Sequence, residues 1–403
     1  MKQDRNYSWQ LPDGIDELLP SQAAHVEDLR RRLLDQASRW GYEFVMPPLA
    51  EFTESLLVGA GEDLDLLTFK VPDQLSGRTL GIRADITPQV ARIDAHSLGD
   101  RQVNRLCYAG STLHTRARSL LASRSPLQLG AELYGEPGLA GDLEVIELML
   151  SLLGEAGVSV DSSLSLDLGH SSVFTHVLAA CQTDDANMDR AIFDALQRKS
   201  RPDLERLLEA LPAPGPDLLG ALLELHGDLS VIDVARERLA DLVPAIDGPL
   251  RELRRLADAI GARYPALDMY IDLGELRGYR YHTGVVFAAY SRGVGEALAR
   301  GGRYDNVGAV YGRARPATGF AMDLRLLAAQ LKAVASPASA IAAPVTEDEA
   351  LQLEIARLRA SGETVVVALG DCIDERCSRE LVLDNGQWTL RDLDRKAQNG
   401  LKS

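Results

Sequence analysis

Three short runs of polar residues have the types and spacing to hold a zwitterionic ligand. Arg83, Asp85 and Thr87 alternate ahead of Pro88, so in an extended chain their side chains share one face. Gln128 and Glu132 do the same around Gly130, which leaves room for a ligand, while Leu127, Leu129, Ala131 and Leu133 face the opposite side. Arg277 precedes Gly278, and Tyr281, His282 and Thr283 follow, with Gly301-Gly302-Arg303-Tyr304-Asp305 a short distance on. Carboxylates and an amide oxygen accept from an α-ammonium, an arginine pairs with a carboxylate, and ring or acidic groups meet an imidazole. Each charge-assisted hydrogen bond contributes roughly 1.5–3 kcal/mol, so three or four support micromolar binding after ordering costs. An internal polar network that fixes sheet register is the competing reading of Arg83, Asp85 and Gln128. Arg83 and Arg116 are candidate phosphate or anion contacts, and a solvated face is the alternative for Arg116, Arg118 and Arg124.

The elements that must position these groups follow from periodicity. Val26, Leu29, Leu33, Ala37 and Trp40 recur near the helical period, which predicts an amphipathic helix over Gln22–Gly41. Tyr42–Pro48 reads as extended, and Phe69–Val71 and Thr79–Arg83 as short strands. Leu106–Leu113 and Leu127–Tyr134 are predicted antiparallel strands, and Leu143–Gly154 a strongly apolar helix. Leu164, Leu166 and Leu168 alternate with polar residues in a half-buried strand, and Met269, Ile271 and Leu273 repeat the pattern. Strands outnumber the helices between them, which favours an α+β architecture, an antiparallel sheet flanked by helices. From about Asp184 to Ala262 the pattern is helical, with breaks at Pro212–Pro216 and Gly227, an inserted subdomain. Ala335–Ala340 reads as a linker between a core, residues 1–333, and a small C-terminal α/β domain, residues 341–403. That domain is predicted to hold a helix over Glu347–Ala360, a strand over Thr364–Leu369 and a hairpin turning at Asn385-Gly386.

Composition narrows the function classes. The chain has 403 residues, 46% of them hydrophobic and 25% charged, ordinary values for a globular protein. Its net charge of −16 argues against a nucleic-acid partner, because binding a polyanion relies on clustered Lys and Arg. Met1–Gln10 is polar with no apolar run behind it, and no stretch approaches the roughly 20 apolar residues of a membrane span. A cytoplasmic protein without membrane contact is the expectation. Cys107, Cys181, Cys372 and Cys377 are too few and too scattered for a disulfide framework or a tetrahedral metal site, so free thiols, no metal and no cofactor are expected.

In order and spacing, Arg83–Pro88, Gln128–Glu132, Leu276–Phe287, and Gly301–Asp305 followed by Gly319-Phe320-Ala321-Met322 resemble the histidyl-tRNA synthetase core over about Leu11–Leu331. The resemblance implies a class II aminoacyl-tRNA synthetase fold that forms a homodimer. It also implies Asp85, Thr87 and Gln128 near a ligand's amino group, Glu132 and His282 near its imidazole, and Arg277 near its carboxylate.

Departures from that family point away from catalysis. The synthetases carry an arginine at the position of His114 and another at Leu326, which hold the ATP phosphates and stabilise charge developing at phosphorus. Their glutamate is Arg116 here, Asp85 is one methylene shorter than theirs, and His282 replaces a tyrosine. A synthetase-like core without its phosphate clamp, followed by a short tail, resembles the regulatory subunits of ATP phosphoribosyltransferase. Leu11–Pro20, Leu106–Gly110 and Pro126–Gly135 carry that likeness. It implies a non-catalytic chain that pairs with a short-form catalytic subunit in the first step of histidine biosynthesis, with histidine as effector. The alternatives are an active adenylating enzyme in which Arg116, Arg118 or Arg124 replaces the clamp, and an amino-acid-sensing module for another partner.

Overall fold

The structure, a computed structural model, describes residues 10–58, 62–117, 122–183, 185–275, 281–331, 340–369 and 373–393. Arg118, Arg277 and Cys372 therefore lie outside the described residues, as does the predicted linker up to residue 339. The chain divides into two compact units, Met1–Glu17 with Val26–Lys332, and Leu18–His25 with Ala333–Ser403.

The described strands run in chain order as β1 Glu43–Phe44, β2 Ala50–Phe52, β3 Phe69–Pro72, β4 Thr79–Ile82, β5 Asn104–Ser111, β6 Leu127–Tyr134, β7 Leu164–His170 and β8 His226–Gly227. They continue as β9 Asp268–Asp272, β10 Val285–Ser291, β11 Ala299–Arg303, β12 Ala317–Asp323, β13 Ala340–Ala343, β14 Val365–Val367, β15 Cys377–Asp384 and β16 Gln387–Asp392. The larger unit is built on a nine-stranded sheet ordered β1-β5-β6-β12-β11-β10-β7-β9-β8, beside a small sheet β2-β4-β3.

The centre of the large sheet is antiparallel, as the short connections require, but both ends hold a parallel joint, β1 with β5 and β7 with β9. A parallel joint needs a long crossover. Between β7 and β9 that crossover is the block predicted to be helical, with helices Ala186–Gln197, Arg201–Leu208, Gly215–Glu224, Ser230–Leu239 and Asp247–Arg263. At the break expected at Gly227 the chain returns to the sheet: His226–Gly227 forms β8, antiparallel to β9. Two residues are too few for alternation to announce a strand.

Helix Leu139–Ala156 buries residues on almost every side, including Val145, Ile146, Leu148, Met149, Leu152 and Leu153. Such a helix must be covered on two faces; it packs on β6, β11 and β12 and under helix Asp247–Arg263. Gly157, at φ +100°, ends it in the left-handed conformation that favours glycine. A second core cluster joins Ile86, Val90 and Ala91 to Leu106, Tyr108, Tyr134 and Tyr304. It is the floor of the candidate site.

The C-terminal unit carries a sheet ordered β14-β13-β15-β16 with helix Glu349–Ala360. Ile341, Ala343, Val365 and Leu381 pack with Leu351, Ile355 and Leu358 of that helix. Ala340, assigned to the linker from its composition, opens strand β13. The hairpin turns at Asn385 and Gly386, both with positive φ, the geometry of a type I′ turn. Among the described residues no helix is long and apolar enough to cross a membrane.

Candidate functional site

The site begins where β4 ends. Asp85 Oδ1 accepts from the Thr87 amide at 3.0 Å and from Gln128 Nε2 at 2.8 Å. The Gln128 oxygen accepts from the Ile86 amide at 3.0 Å. One glutamine from β6 thus ties down the turn that opens helix Thr87–Arg92, with Pro88 in its first turn where no amide is needed. Asp85, Thr87 and Gln128 come together as a polar corner.

Glu132, four residues along β6, is buried beside it. Tyr108 donates to its Oε1 at 3.1 Å, and Tyr304 donates to its Oε2. The Tyr108 hydroxyl also lies 3.1 Å from Thr87 Oγ1, which links the carboxyl to the corner. Neither phenol can supply positive charge, so burial pushes the Glu132 carboxyl up to about 8, and Asp85 adds to the rise. Burial drives the Tyr108 and Tyr304 hydroxyls well above their ordinary range.

An aromatic wall stands over this carboxyl. The Tyr281 ring lies 5.0 Å from Tyr304 at 30°, Tyr134 meets Tyr304 edge-on at 6.4 Å, and His282 meets Tyr281 edge-on at 5.7 Å. The His282 ring covers Gly302, where a Cβ would collide with it. The Tyr281 hydroxyl is buried without a hydrogen-bond partner among the described residues. The segment is fixed from below: Thr283 N–H donates to the Arg303 carbonyl at 2.7 Å, and Thr283 Oγ1 accepts from the Asp305 amide at 3.0 Å. Arg303 is itself buried against Asp142 at 3.0 Å.

Two expectations need correcting. The space beside Gly130 is not open to a ligand, because Tyr108, its partner across the β5–β6 ladder, already fills it. Arg83 does not present its charge to an anion. Its Nε donates to the Ser111 carbonyl at 2.9 Å and its Nη1 to the Pro47 carbonyl at 2.7 Å, a brace between backbone segments. Arg116 is exposed on its loop. Arg124 braces the N-terminal turn through the carbonyls of Asp13 and His114. Arg277 lies outside the described residues.

Tyr108 was missed from the sequence, where it reads as core, and Tyr304 appeared only within a glycine-rich run. The β5–β6 register, which sets Tyr108 directly across from Gly130, is what brings it to Glu132, and the sequence alone carries no signal of it. At the positions of the expected phosphate clamp, His114 is buried with Nε2 2.9 Å from the Ala84 carbonyl. Leu326 carries no donor, and its neighbour Arg325 is turned to Asp16 and the Ser125 carbonyl. Elsewhere, a cleft of about 390 Å³ is lined by Lys199, Arg201, Leu223, His226, Tyr270 and Asp272. Its charges are already matched, Lys199 to Asp272 at 2.7 Å and Arg201 to Glu224 at 3.2 Å.

Comparison with known proteins covers nearly all of the chain. The family Histidyl-tRNA synthetase matches residues 14–327, and the family ATP phosphoribosyltransferase subunit HisZ C-terminal domain matches residues 338–391. The ATP phosphoribosyltransferase regulatory subunit of Azotobacter vinelandii is 51% identical over 388 residues, 95% of this chain and 97% of that one. The protein of the same description from Ectopseudomonas mendocina is 50% identical over 391 residues, 96% of this chain and 98% of that one. Among solved structures, an ATP phosphoribosyltransferase regulatory subunit/histidyl-tRNA synthetase from Bacillus halodurans superposes with a TM-score of 0.78 at 28% identity, covering 92% of this chain and 95% of that one. A histidyl-tRNA synthetase from Nostoc sp. superposes with a TM-score of 0.72 at 16% identity, over 95% of this chain and 94% of that one, a likeness of fold.

Proposed function

From the premise that this chain belongs to the ATP phosphoribosyltransferase regulatory subunits, we propose that its synthetase-like core regulates by binding histidine and no longer adenylates it. The chain is the synthetase-like regulatory subunit in histidine biosynthesis, and the phosphoribosyl transfer belongs to its catalytic partner. The observation that carries the proposal is the contrast within one unit. The polar corner of Asp85, Thr87 and Gln128 and the enclosed Glu132 are intact and hydrogen-bonded. Where phosphate would need cations, there is a leucine at 326 and a histidine at 114 turned to a backbone carbonyl.

In this reading Asp85 and Gln128 receive the α-ammonium of histidine, Glu132 meets its imidazole with Tyr281 and His282 alongside, and Arg277 takes its carboxylate. Histidine acts as effector when it binds two states of the assembly with unequal affinity. Two copies pair through the core: Phe44, Met46 and Leu49 stand 44%, 79% and 52% exposed along the β1 side, an apolar row that a second copy would cover. Met46→Glu is expected to shift the chain from dimer to monomer in sedimentation. We take the chain to work in the cytoplasm, without nucleic acid.

The deciding experiment is reconstitution. Adding this chain to a catalytic ATP phosphoribosyltransferase subunit is expected to change its rate and to confer inhibition by histidine. If both stay unchanged with folded protein, the reading fails. Histidine-dependent pyrophosphate exchange by the chain alone would replace it with that of an active synthetase, and Leu326→Arg measures how far adenylation has been lost.

A further inference from the structure

We propose that Asp16 is an internal counter-anion: its carboxylate fills a seat of one guanidinium and two hydroxyls beside the amino-acid pocket, and so bars phosphate-bearing ligands from the site. This rests on the histidine reading above for the neighbouring pocket and adds what that pocket refuses.

Three stretches of chain build the seat. Ser123 and Ser125 precede β6, Arg325 follows β12, and the turn at residues 13–16 lies over them. Arg325 Nη1 donates to the Ser125 carbonyl at 3.0 Å and to the Ser125 hydroxyl at 3.1 Å, while its Nη2 is paired with Asp16 Oδ2. The other carboxylate oxygen, Asp16 Oδ1, accepts from the Ser123 hydroxyl at 3.1 Å. Arg124 holds the turn itself: its amide donates to the Gly14 carbonyl at 2.7 Å and its Nη1 to the Asp13 carbonyl at 2.9 Å. Guanidinium and hydroxyl donors receive phosphate oxygens as readily as carboxylate oxygens.

The seat adjoins the pocket on two sides. Asp323, two residues before Arg325, stands directly opposite Gln128 across the β6–β12 ladder. The His114 amide donates to the Arg124 carbonyl at 2.7 Å, and its ring lies 2.9 Å from the carbonyl of Ala84, the residue before Asp85. An anionic extension on a ligand held at Asp85 and Gln128 therefore has this seat as its neighbour. Free histidine has no group to place there, because in that reading its carboxylate belongs to Arg277.

Exposure shows which partner can leave. The Arg325 side chain is 13% exposed and that of Asp16 62%, so the guanidinium belongs to the body of the fold and the carboxylate covers it from outside. An ion pair with so exposed a partner adds little to stability, and the turn can lift without unfolding the sheet beneath. Charge gives the exclusion. Asp323 also stands beside Arg325, its Oδ1 accepting from the Arg325 amide at 2.9 Å. With Asp16 in place, two carboxylates already attend one guanidinium, and a phosphate would be a third anion.

Titration calorimetry of the full chain with inorganic pyrophosphate, at low and high salt, tests the seat, with L-histidine titrated alongside. Asp16→Ala is expected to bind pyrophosphate at least about tenfold more tightly than the wild type, because a like charge has left the seat. Salt should erode that gain. Asp16→Asn keeps an acceptor for Ser123 and loses the charge, so it shows the gain as well and serves if the alanine variant does not fold. Asp13, held through its carbonyl, is the control: Asp13→Asn removes the same charge from the same turn and gives no gain. Combining Asp16→Ala with Arg325→Gln abolishes it. Equal pyrophosphate affinity in the wild type and the folded Asp16 variants overturns the proposal, as does an equal gain from Asp13→Asn or a gain that outlasts Arg325. Failure of L-histidine to bind, with the pyrophosphate gain intact, supports the seat and removes the histidine reading.

Discussion

Glu132 and Gly319 are directly opposed across the β6–β12 ladder, and the carboxyl of the first occupies the space that a Cβ on the second would need. Glycine at 319 is therefore a condition for the buried carboxyl. Gly319→Ala is expected to force Glu132 aside and weaken histidine binding by at least about tenfold, with about 1–3 kcal/mol of overpacking cost to the fold. Calorimetry and urea unfolding separate the two effects; unchanged affinity would detach Glu132 from the ligand.

Gln128→Leu tests the polar corner. It removes a donor from Asp85 and leaves the Ile86 amide without its acceptor. An unpaired buried group costs about 1–3 kcal/mol, which predicts an affinity loss of about ten- to hundredfold where the ligand uses the same corner. An equal loss of stability with no loss of affinity would make this corner only a stitch between β6 and the turn.

Glu132 also sets a slope on stability. Its folded pKa is raised to about 8, against 4.5 ordinarily, so between those values the fold holds a proton that the unfolded chain has released. Its contribution is full below about pH 4.5 and is lost as pH climbs through 8, at up to about 1.4 kcal/mol per pH unit. Asp94 and Asp323, also raised by burial, steepen the acidic end. Without ligand, the melting temperature should fall from pH 5 to 8.5, and Glu132→Gln should flatten the fall. Parallel curves for the two proteins would refute the assignment.

Lys199 ends helix Ala186–Gln197 at φ +51°, a conformation lysine enters at a cost of about 1–2 kcal/mol. Its Nζ reaches Asp272 at the end of β9. Lys199→Ala loses the ion pair and keeps the strain, whereas Lys199→Gly loses the pair and relieves the strain. The glycine variant should be the more stable by about 1 kcal/mol in urea unfolding; the reverse order would show that the backbone is not strained there.

Much of the site could be read in the chain, because its parts sit close together in sequence. Asp85 and Thr87 are two residues apart, Gln128 and Glu132 lie on one face of one strand, and Tyr281 adjoins His282. The unread part depends on pairing between distant segments. Tyr108 is buried on β5, and its place beside Glu132 follows only from the register that sets it against Gly130. Arg83 reaches the Pro47 carbonyl, 36 positions away, so its charge looked available when it is committed to backbone. The alternation of Leu164, Leu166 and Leu168 announced β7, but not that its neighbour β9 would lie parallel.

The nine-stranded sheet ends on both sides in a strand of two residues, β1 and β8. A long bare margin would offer its amide and carbonyl groups as a template on which stray polypeptide could accrete. Margins this brief give such an intruder almost nothing to register against. The width of the sheet is thereby reconciled with resistance to fibril growth, a property a subunit needs if it is to remain available to a separate partner.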